Sequence, residues 1–348
     1  MRNAVIQEDV EAIVRADLPW SAFQGRTILI SGANGFVPAY MVETLLHLNE
    51  AHRCNCTVLA LVRSETRART RFAYAAGRKD LHFIVQDVSA PLAYDGQIDF
   101  MIHAASQASP KYFGNDPAGT LLANTQGTVR MLTLAAEKKV KSFLFFSSGE
   151  VYGQVDAAKI PIKEADYGYL DLTDVRSCYA EGKRAGEALC VAWHHQYAVP
   201  SKIVRPFHTY GPGMRLDDGR VFADFVRDIV EGRDIVMKSE GRAVRPFCYL
   251  GDATAGFFTV LLKGDNACPY NIGNNNAEIS IAHLADTLVR LFPEKKLKVI
   301  RQIQDRGLEY LESPISRNCP DISRVVRLGW KPTTTVETGF ARTIRSYH

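Results

Sequence analysis

The chain has 348 residues, of which 46% are hydrophobic and 23% charged, so it can bury a core for one large domain or two closely packed ones. Its 42 basic and 38 acidic residues are spread along the sequence, which argues against nucleic acid as a partner and suits a small anionic substrate. No apolar run reaches the length of a membrane span, and the first residues lack the apolar core of a signal peptide. We therefore expect a cytoplasmic protein with no membrane partner.

The strands and helices of the first 200 residues alternate in the sequence. Residues 27–30 form a short apolar run that predicts a first strand, and the apolar spacing over 40–48 after a Gly-rich turn predicts a helix. Later segments continue the pattern, with strands predicted at 57–62, 81–85, 100–103 and 143–146 and helices at 121–138 and 179–197. This alternation predicts an α/β fold with a Rossmann-type doubly wound parallel sheet.

Three regions follow from this pattern. Residues 1–25 are predicted to be an N-terminal helical extension, residues 26–200 an NAD(P)-binding Rossmann domain, and residues 201–348 a smaller α/β substrate-binding region. Loops rich in Gly, Pro, Asp and Arg begin after residue 200. Within the last region, we expect the segments 201–210 and 245–260 to pack back on the Rossmann domain.

The seven cysteines form no C-x-x-C pair, so a disulfide framework is not expected. Cys54 and Cys56 make a C-x-C, but no second pair of Cys or His residues with metal-ligand spacing accompanies them. We therefore predict ordinary thiols and no metal site.

The turn after the first strand has the composition of a dinucleotide-binding loop. It reads Gly32-Ala-Asn-Gly-Phe-Val-Pro38, and small residues there let the backbone approach a pyrophosphate at the N-terminus of the next helix. Pro38 replaces the third glycine and suits the first helical turn. The residues assigned to the cofactor in this loop are Gly32, Asn34, Gly35, Phe36 and Val37.

Two further strand ends extend the predicted cofactor site. After the second strand, an NAD enzyme usually offers Asp or Glu to the ribose hydroxyls, whereas this chain has Arg63. NAD is the expected cofactor, NADP is the alternative, and a merely solvated Arg63 is equally compatible with the sequence. Asp87 and Val88 follow the third strand, where a contact with adenine is expected, although Asp there is also a common turn residue.

Tyr179 and Lys183 are four residues apart in a predicted helix and project from one face. A nearby ammonium favours the phenolate, which can then take a proton from a sugar hydroxyl. The Y-x-x-x-K pattern occurs by chance in many helices, but here it follows five predicted strands. The fifth strand ends in Ser148-Gly-Glu150, at the edge of the sheet where such folds keep their chemistry.

The ordered motifs resemble those of the extended short-chain dehydrogenase/reductases that act on nucleotide sugars as epimerases, dehydratases and decarboxylases. Within that family, the chain is most similar to the UDP-glucuronate decarboxylases (UDP-xylose synthases). The similarity runs from about residue 27 to the end and includes the segments that begin at His103, Ala108, Asn124, Ser148, Arg176, Thr209, Asp218, Arg245 and Leu328. The resemblance implies an enzyme that binds NAD and a nucleotide-diphosphate sugar, and a homodimer.

The resemblance also implies roles for individual residues. Ser148 would hydrogen-bond the reacting hydroxyl, Tyr179 would be the base, and Lys183 would lower the pKa of Tyr179 and hold the nicotinamide ribose. Glu150 matches a carboxylate that works at the sugar ring or at C5. Further cofactor contacts fall to His103, Ala104, Ala105 and Asn124, and substrate contacts to Tyr112, Arg176, His208, Arg220, Arg245 and Arg317.

The arginines divide by the group that each is expected to bind. Arg220 and Arg245 match residues that grip the diphosphate, because forked guanidinium donors suit phosphate oxygens. Arg317, with Arg176 and Tyr112 as further candidates, is expected at a sugar carboxylate. For Arg220 and Arg245 the alternative is a surface salt bridge, and for Arg317 it is a contact with phosphate or solvent alone.

Three reactions can follow oxidation of the sugar at C4: decarboxylation, 4-epimerisation and 4,6-dehydration. Gly149 stands where dehydratases usually carry an Asp, and simple epimerases commonly lack a residue like Glu150, so decarboxylation is the first hypothesis. His208 and Gly213 depart from the decarboxylase pattern, so the sugar is left open. An NADPH-dependent keto-sugar reductase and a non-catalytic sensor of nicotinamide state remain as alternatives.

Overall fold

The computed structural model describes residues 2–302 and 316–348. Met1 and residues 303–315, which belong to the predicted N-terminal and substrate-binding regions, lie outside the described residues. A seven-stranded sheet occupies the centre, with all neighbouring strands parallel. Its strands are β1 (Thr27–Ser31), β2 (Thr57–Val62), β3 (Leu81–Val85), β4 (Phe100–His103), β5 (Ser142–Phe146), β6 (Ser201–Pro206) and, later in the chain, β11 (Pro269–Ile272).

The strand order is β11-β6-β5-β4-β1-β2-β3, so the direction of winding reverses between β1 and β4. This confirms the predicted Rossmann-type doubly wound sheet. In such a sheet, ligands bind beyond the carboxyl ends of the strands at the reversal point. Two of the seven strands, β6 and β11, come from beyond residue 200, whereas the boundaries of the three predicted regions remain predictions.

The helices and the remaining short strands complete the described chain. The helices are α1 (Ala4–Val14), α2 (Phe36–His52), α3 (Glu65–Arg71), α4 (Pro110–Asn115), α5 (Pro117–Asn124), α6 (Gln126–Lys138), α7 (Ser177–Tyr197), α8 (Val221–Val230), α9 (Leu250–Lys263), α10 (Ile281–Leu291), α11 (Ser323–Val326) and α12 (Val336–Arg345). The short strands are β7 (Thr209–Tyr210), β8 (Ile235–Met237), β9 (Val244–Pro246), β10 (Cys248–Tyr249), β12 (Glu278–Ser280) and β13 (Val299–Arg301). Over these described residues, no helix has both the length and the apolar character that crossing a membrane would require.

Each face of the central sheet has its own apolar core, because successive side chains of a strand point to opposite sides. Ile28 and Ile30 pack with α1, α2 and α9 on one face. Leu29, between them, packs with α6 and α7 on the other. A third core joins α8, α10 and α12 around Phe247. The two cores on the sheet explain why its strands are near-continuous apolar runs in the sequence.

One predicted helix differs from the structure. The segment 121–138 was expected to be a single helix, and the structure has α5 and α6 separated at Thr125. The Thr125 hydroxyl donates to the carbonyl of Leu121 at 2.9 Å, and such back-bonding by Thr bends a helix. After this bend, Gly127 of α6 packs against Val88. A Cβ at position 127 would lie 2.9 Å from the Val88 side chain.

The N-terminal helix α1 is tied to both α2 and the end of the chain through Asp9. This buried carboxylate accepts hydrogen bonds from Tyr40 on α2 at 2.9 Å, Tyr249 on β10 at 2.7 Å and Arg342 on α12 at 2.7 Å. Burial raises the pKa of Asp9, and its three donors oppose that rise. The N-terminal extension is therefore an integral part of the packing among the described residues.

Asp9→Ala should lower the free energy of unfolding by roughly 2–4 kcal/mol, because it removes the shared acceptor of three partly or fully buried donors. Urea denaturation followed by circular dichroism would measure the change. Glu8→Ala is the matched control: Glu8 also pairs with Arg342, at 2.8 Å, but is exposed, so its loss should cost less than about 1 kcal/mol. Equal losses for the two variants would show that Asp9 has no special structural role.

Candidate active site

A cavity of about 860 Å³ opens beyond the carboxyl ends of the sheet strands. The β1–α2 turn, the ends of β2, β4 and β5, helix α7 and the loop after β6 form its wall. Most of the residues singled out from the sequence line it: Gly32, Asn34, Gly35, Phe36, Val37, Arg63, Asp87, Val88, Ala104, Ala105, Tyr112, Ser148, Glu150, Arg176, Tyr179, Lys183, His208 and Arg220. His103, Asn124, Arg245 and Arg317 are not among the lining residues.

The β1–α2 turn lies directly against the end of β4. Gly32 has a φ of +66°, and a Cβ there would come within 2.8 Å of the Ala105 Cα, so only glycine fits. Gly35 is the N-cap of α2 and has no side chain to occupy the first N–H groups of the helix. Those N–H groups are therefore available to an anion, and the turn fits the diphosphate of a dinucleotide.

His103 and Asn124 lie behind the cavity wall. His103 is buried between the hydroxyls of Ser31 at 2.8 Å and Thr128 at 3.1 Å. Burial, with the charge of Lys183, lowers the pKa of His103 to about 3, so it is a neutral link between β1, β4 and α6. The amide nitrogen of Asn124 donates to the carbonyl of Thr120 at 2.9 Å, and the side chain packs beside helix α7 at Gly182. Both residues support the wall from behind.

Tyr179 and Lys183 occupy the same face of α7 beside Ser148. The Lys183 ammonium donates to the carbonyl of Phe146 at 2.6 Å and lies 5.7 Å from the centre of the Tyr179 ring. Burial lowers the pKa of Lys183 to about 7, against the opposing charge of Glu187. Burial raises the pKa of Tyr179 to about 12, which a hydrogen bond with Ser148 and the charge of Arg220 oppose. Further positive charge is needed before Tyr179 can act as a base near pH 7.

A buried ion pair that the sequence reading missed lies behind this cluster. Glu187 follows Lys183 by one helical turn and accepts two hydrogen bonds from Arg205 on β6, at 2.8 and 2.6 Å. Ser147, at the end of β5, donates its hydroxyl to the same carboxylate. Arg205 is fully buried. The sequence did offer one signal for Glu187: it lies four residues after Lys183, so the two side chains share one face of the helix.

Glu150 and Arg176 face each other in the cavity that Ser148, Tyr179 and Lys183 also line. Their closest oxygen and nitrogen are 3.5 Å apart. Phe113 stacks on the Tyr179 ring with centres 5.0 Å apart, and Arg176 lies 5.9 Å from the Phe113 ring. Gly149 lies close to the Phe207 ring: a Cβ there would be 3.0 Å from the ring, so a side chain would require the ring to shift.

The predicted substrate residues divide between the cavity and the surface beside it. Arg220 lines the cavity and is paired with Asp218. His208 lines it too and shares a hydrogen bond of 3.1 Å with Asn318, a lining residue that the sequence reading missed. Burial, followed by the charges of Arg245 and Arg220, lowers the pKa of His208 to about 3, so His208 is a neutral partner for a polar ligand.

Arg245 and Arg317 are held away from the cavity. Arg245 donates to the carbonyls of Val244 at 2.9 Å and Ser316 at 3.1 Å. Arg317 makes two hydrogen bonds to Glu278 on β12, at 2.8 and 2.7 Å. Arg317 is thus paired with Glu278 and does not line the cavity, and its role at a sugar carboxylate stays a prediction.

Within residues 2–302 and 316–348, no three His, Cys, Asp or Glu side chains come together as a metal site. The cysteines are free thiols, including Cys54 and Cys56, which are both buried. The described groups that can carry chemistry in the cavity are therefore hydroxyls, carboxylates, Lys183 and arginines.

The pH dependence of folding should reveal the buried Lys183 in cofactor-free protein. Its folded pKa of about 7 lies below the unfolded value, so between the two the unfolded chain holds a proton that the folded chain lacks, and stability rises with pH. From pH 7 to pH 9, wild type should gain stability relative to Lys183→Met by up to roughly 1 kcal/mol per pH unit. Urea denaturation of both proteins would measure it. The exposed Lys79→Met is the control and should follow wild type; parallel curves for wild type and Lys183→Met would contradict the burial of a titrating lysine.

Comparison with known proteins places this site in a family. The model of the NAD dependent epimerase/dehydratase family matches residues 28–273. UDP-glucuronic acid decarboxylase 6 of Arabidopsis thaliana is 33% identical over 314 residues, which cover 90% of this chain and 86% of the relative. UDP-glucuronic acid decarboxylase 1 of Xenopus tropicalis is 30% identical over 328 residues, 92% of this chain and 72% of the relative.

Solved structures show the same fold at lower identity. UDP-glucuronic acid 4-epimerase of Bacillus cereus, in complex with UDP-glucuronic acid and NAD, is 22% identical with a TM-score of 0.76, covering 92% of this chain and 98% of that one. The dTDP-glucose 4,6-dehydratase DesIV of Streptomyces venezuelae, with NAD and TYD bound, is 23% identical with a TM-score of 0.77, covering 92% and 96%. The sequence matches, the fold and the cavity agree: this chain is an enzyme and belongs to the NAD dependent epimerase/dehydratase family.

Proposed function

We propose that this enzyme decarboxylates UDP-glucuronate by transient oxidation of the sugar at C4. The observation that carries the proposal is Glu150 facing Arg176 beside Ser148 and Tyr179, with Gly149 closed against Phe207. The site thus has a cation for a sugar carboxylate and a carboxylate near the reacting carbons, but no acid at position 149 to expel a C6 hydroxyl. The UDP-glucuronic acid decarboxylases among its relatives support the same reaction.

The oxidation requires a hydride acceptor and a base. The β1–α2 turn with Gly32 and Gly35 would hold the diphosphate of NAD, which would supply the reversible hydride acceptor for C4. Tyr179 takes the proton of the C4 hydroxyl, which Ser148 orients by a hydrogen bond. The Lys183 ammonium lies beside the Tyr179 ring and stabilises the phenolate. The product of this step is a 4-ketone with a carboxylate at C6.

The ketone makes loss of carbon dioxide possible. The C5–C6 bond breaks, carbon dioxide leaves, and the bonding electrons move into the ketone as an enolate, which then takes a proton at C5. In this proposal, Arg176 orients the carboxylate, and Glu150, released from Arg176 by the substrate, orients a water molecule that gives its proton to C5, the resulting hydroxide being neutralised by a proton from solvent. Return of the hydride to C4 and of the Tyr179 proton to the oxygen completes a redox-neutral cycle.

The nucleotide half of the substrate is assigned to the opposite side of the cavity. We propose that Arg220 and His208, with Asn318, hold the diphosphate, because these three residues line the same cavity and His208 shares a hydrogen bond with Asn318. Arg245 can contribute its charge to this wall, since it lowers the pKa of His208, but it does not line the cavity. Arg317 is left out of the proposed substrate site.

Three finer assignments complete the proposal. NAD is the cofactor because the family is NAD dependent, and Arg63 at the end of β2 keeps NADP as the alternative. A homodimer through α5 and α7 is proposed because these packed helices expose Leu121, Leu122, Val191 and Tyr197. The predicted location is the cytoplasm.

Purified protein without added cofactor should convert UDP-glucuronate to a product lighter by the mass of carbon dioxide, and Tyr179→Phe should reduce kcat about 10³-fold because the general base is lost. Mass spectrometry and NMR of the product would measure both. Tyr197→Phe, an exposed tyrosine on the same helix, is the matched control and should retain activity.

Other products would assign other reactions to the same site. An unchanged mass with altered ring couplings would make the enzyme a 4-epimerase, and loss of water from a UDP- or dTDP-hexose would make it a dehydratase. Turnover only with NADPH and a keto-sugar would make it a reductase. Each of these results would refute decarboxylation as the principal activity.

Arg176→Gln should raise the KM for UDP-glucuronate about 10- to 100-fold, because a charge-assisted pair with the carboxylate is lost. The affinity for UDP alone should not change, since UDP has no sugar carboxylate. Arg317→Gln, whose arginine pairs with Glu278 outside the cavity, is the control and should keep the KM of wild type. The reverse result, a high KM for Arg317→Gln alone, would assign the carboxylate to Arg317.

A further inference from the structure

Arg71, the last residue of α3, has unused hydrogen-bond donors in the cavity wall. Its side chain lines the cavity together with Gly35 and Phe36 at the start of α2. Two of its nitrogens, Nε and Nη2, are buried and hydrogen-bond to no atom in the part of the chain that the structure describes. Buried guanidinium donors without an acceptor are costly, so this arrangement calls for an acceptor that binds there.

Glu43, a carboxylate on which the charge of Arg71 acts, already has other partners. Glu43 on α2 accepts from Arg2 at 2.8 Å and from the hydroxyl of Tyr74. Burial raises the pKa of Glu43, and the charge of Arg71 is one of several that oppose the rise. The charge of Arg71 thus affects the pKa of Glu43. The Nε and Nη2 donors of Arg71 nevertheless form no hydrogen bond with Glu43.

The loop after β7 is shaped around the Arg71 guanidinium. Gly213 has a φ of +79°, and a Cβ there would lie 2.3 Å from Nη1 and 2.8 Å from Nη2 of Arg71. The next residue, Met214, accepts a hydrogen bond at its carbonyl from Tyr347 near the end of the chain. A side chain at position 213 would displace the guanidinium, so the glycine keeps the space that Arg71 occupies.

We propose that Arg71 binds the diphosphate of the nicotinamide cofactor from the side opposite the β1–α2 turn. The start of α2 supplies backbone N–H groups to that diphosphate, and Arg71 lies beside the first turns of the same helix, where its charge acts on Tyr40 and Glu43. A guanidinium with two adjacent free donors suits two phosphate oxygens. This inference rests on the proposed function only in requiring a dinucleotide cofactor.

The consequence is a cofactor held by both parts of the fold. The turn at Gly32 belongs to the central sheet, whereas the Gly213 loop precedes Arg215, Asp218 and Arg220 of the wall assigned to the substrate. Arg71 lies between them. The retention of the cofactor during a redox-neutral cycle is then linked to the loop that carries the substrate residues.

Binding of NADH to cofactor-stripped protein, followed by its fluorescence, tests the proposal. Arg71→Gln should raise the Kd for NADH about 10- to 100-fold, because charge-assisted hydrogen bonds to phosphate are lost. ADP-ribose, which has the diphosphate but no nicotinamide, should lose affinity by a similar factor, whereas adenosine should not. Arg69→Gln is the matched control, because Arg69 is exposed on the same helix and pairs with Glu65 at 2.6 Å.

A second variant and two further readouts keep the outcomes distinct. Gly213→Ala should also weaken NADH binding by displacing Arg71, and the thermal stability of stripped Arg71→Gln should stay near that of wild type. An unchanged Kd for NADH with a lower melting temperature would overturn the proposal and give Arg71 a structural role beside Glu43. Weaker binding of UDP with unchanged NADH would overturn it in favour of the substrate diphosphate. Failure of wild type to bind any dinucleotide would instead refute the proposed function.

Discussion

The buried ion pair between Glu187 and Arg205 fixes the position of helix α7 against the central sheet. It joins α7 to β6, and through Ser147 it also joins α7 to the end of β5. Because Arg205 is fully buried, removal of either partner would leave an uncompensated charge inside the protein. The helix that carries Tyr179 and Lys183 is therefore fixed relative to the strand that delivers Ser148. A general base and its hydrogen-bond partner need this fixed separation, since small displacements of reacting groups reduce rates strongly.

The electrostatics of the cluster follow from its burial. Tyr179 and Lys183 are both buried, and burial disfavours the charged form of each: it raises the pKa of the phenol and lowers that of the ammonium. Each charge favours the other, so a phenolate and an ammonium form most easily together. In the proposed mechanism, the positive nicotinamide adds to this balance. In that mechanism, Tyr179 becomes a base only when the cofactor is bound.

The fold could be predicted from the sequence because parallel strands buried on both faces are short apolar runs, as at 57–62 and 143–146. The break at Thr125 was missed because it depends on a local hydrogen bond to Leu121 that competes with helical spacing. In the site, residues on the turn, at the strand ends and on α7 were placed in one cavity by order along the chain. The pairing of Arg317 with Glu278 could not be predicted from the sequence, because the two residues are 39 positions apart. Arg71 was not among the predicted site residues, since its role depends on a contact with Gly213, which is far from it in the sequence.

The contact of Gly32 with Ala105 has a consequence for how this turn can change during evolution. A side chain at position 32 would clash with the backbone of Ala104 and Ala105, directly after β4, so a substitution there would require that backbone to move. Position 38 carries no such constraint, because a residue in the first turn of α2 needs no intrahelical partner for its N–H. Pro38 is therefore compatible with the turn, whereas a residue with a side chain at position 32 is not. A sequence pattern that requires three glycines in this turn would miss this chain. A pattern that requires only the glycine in contact with the backbone after β4 would include it.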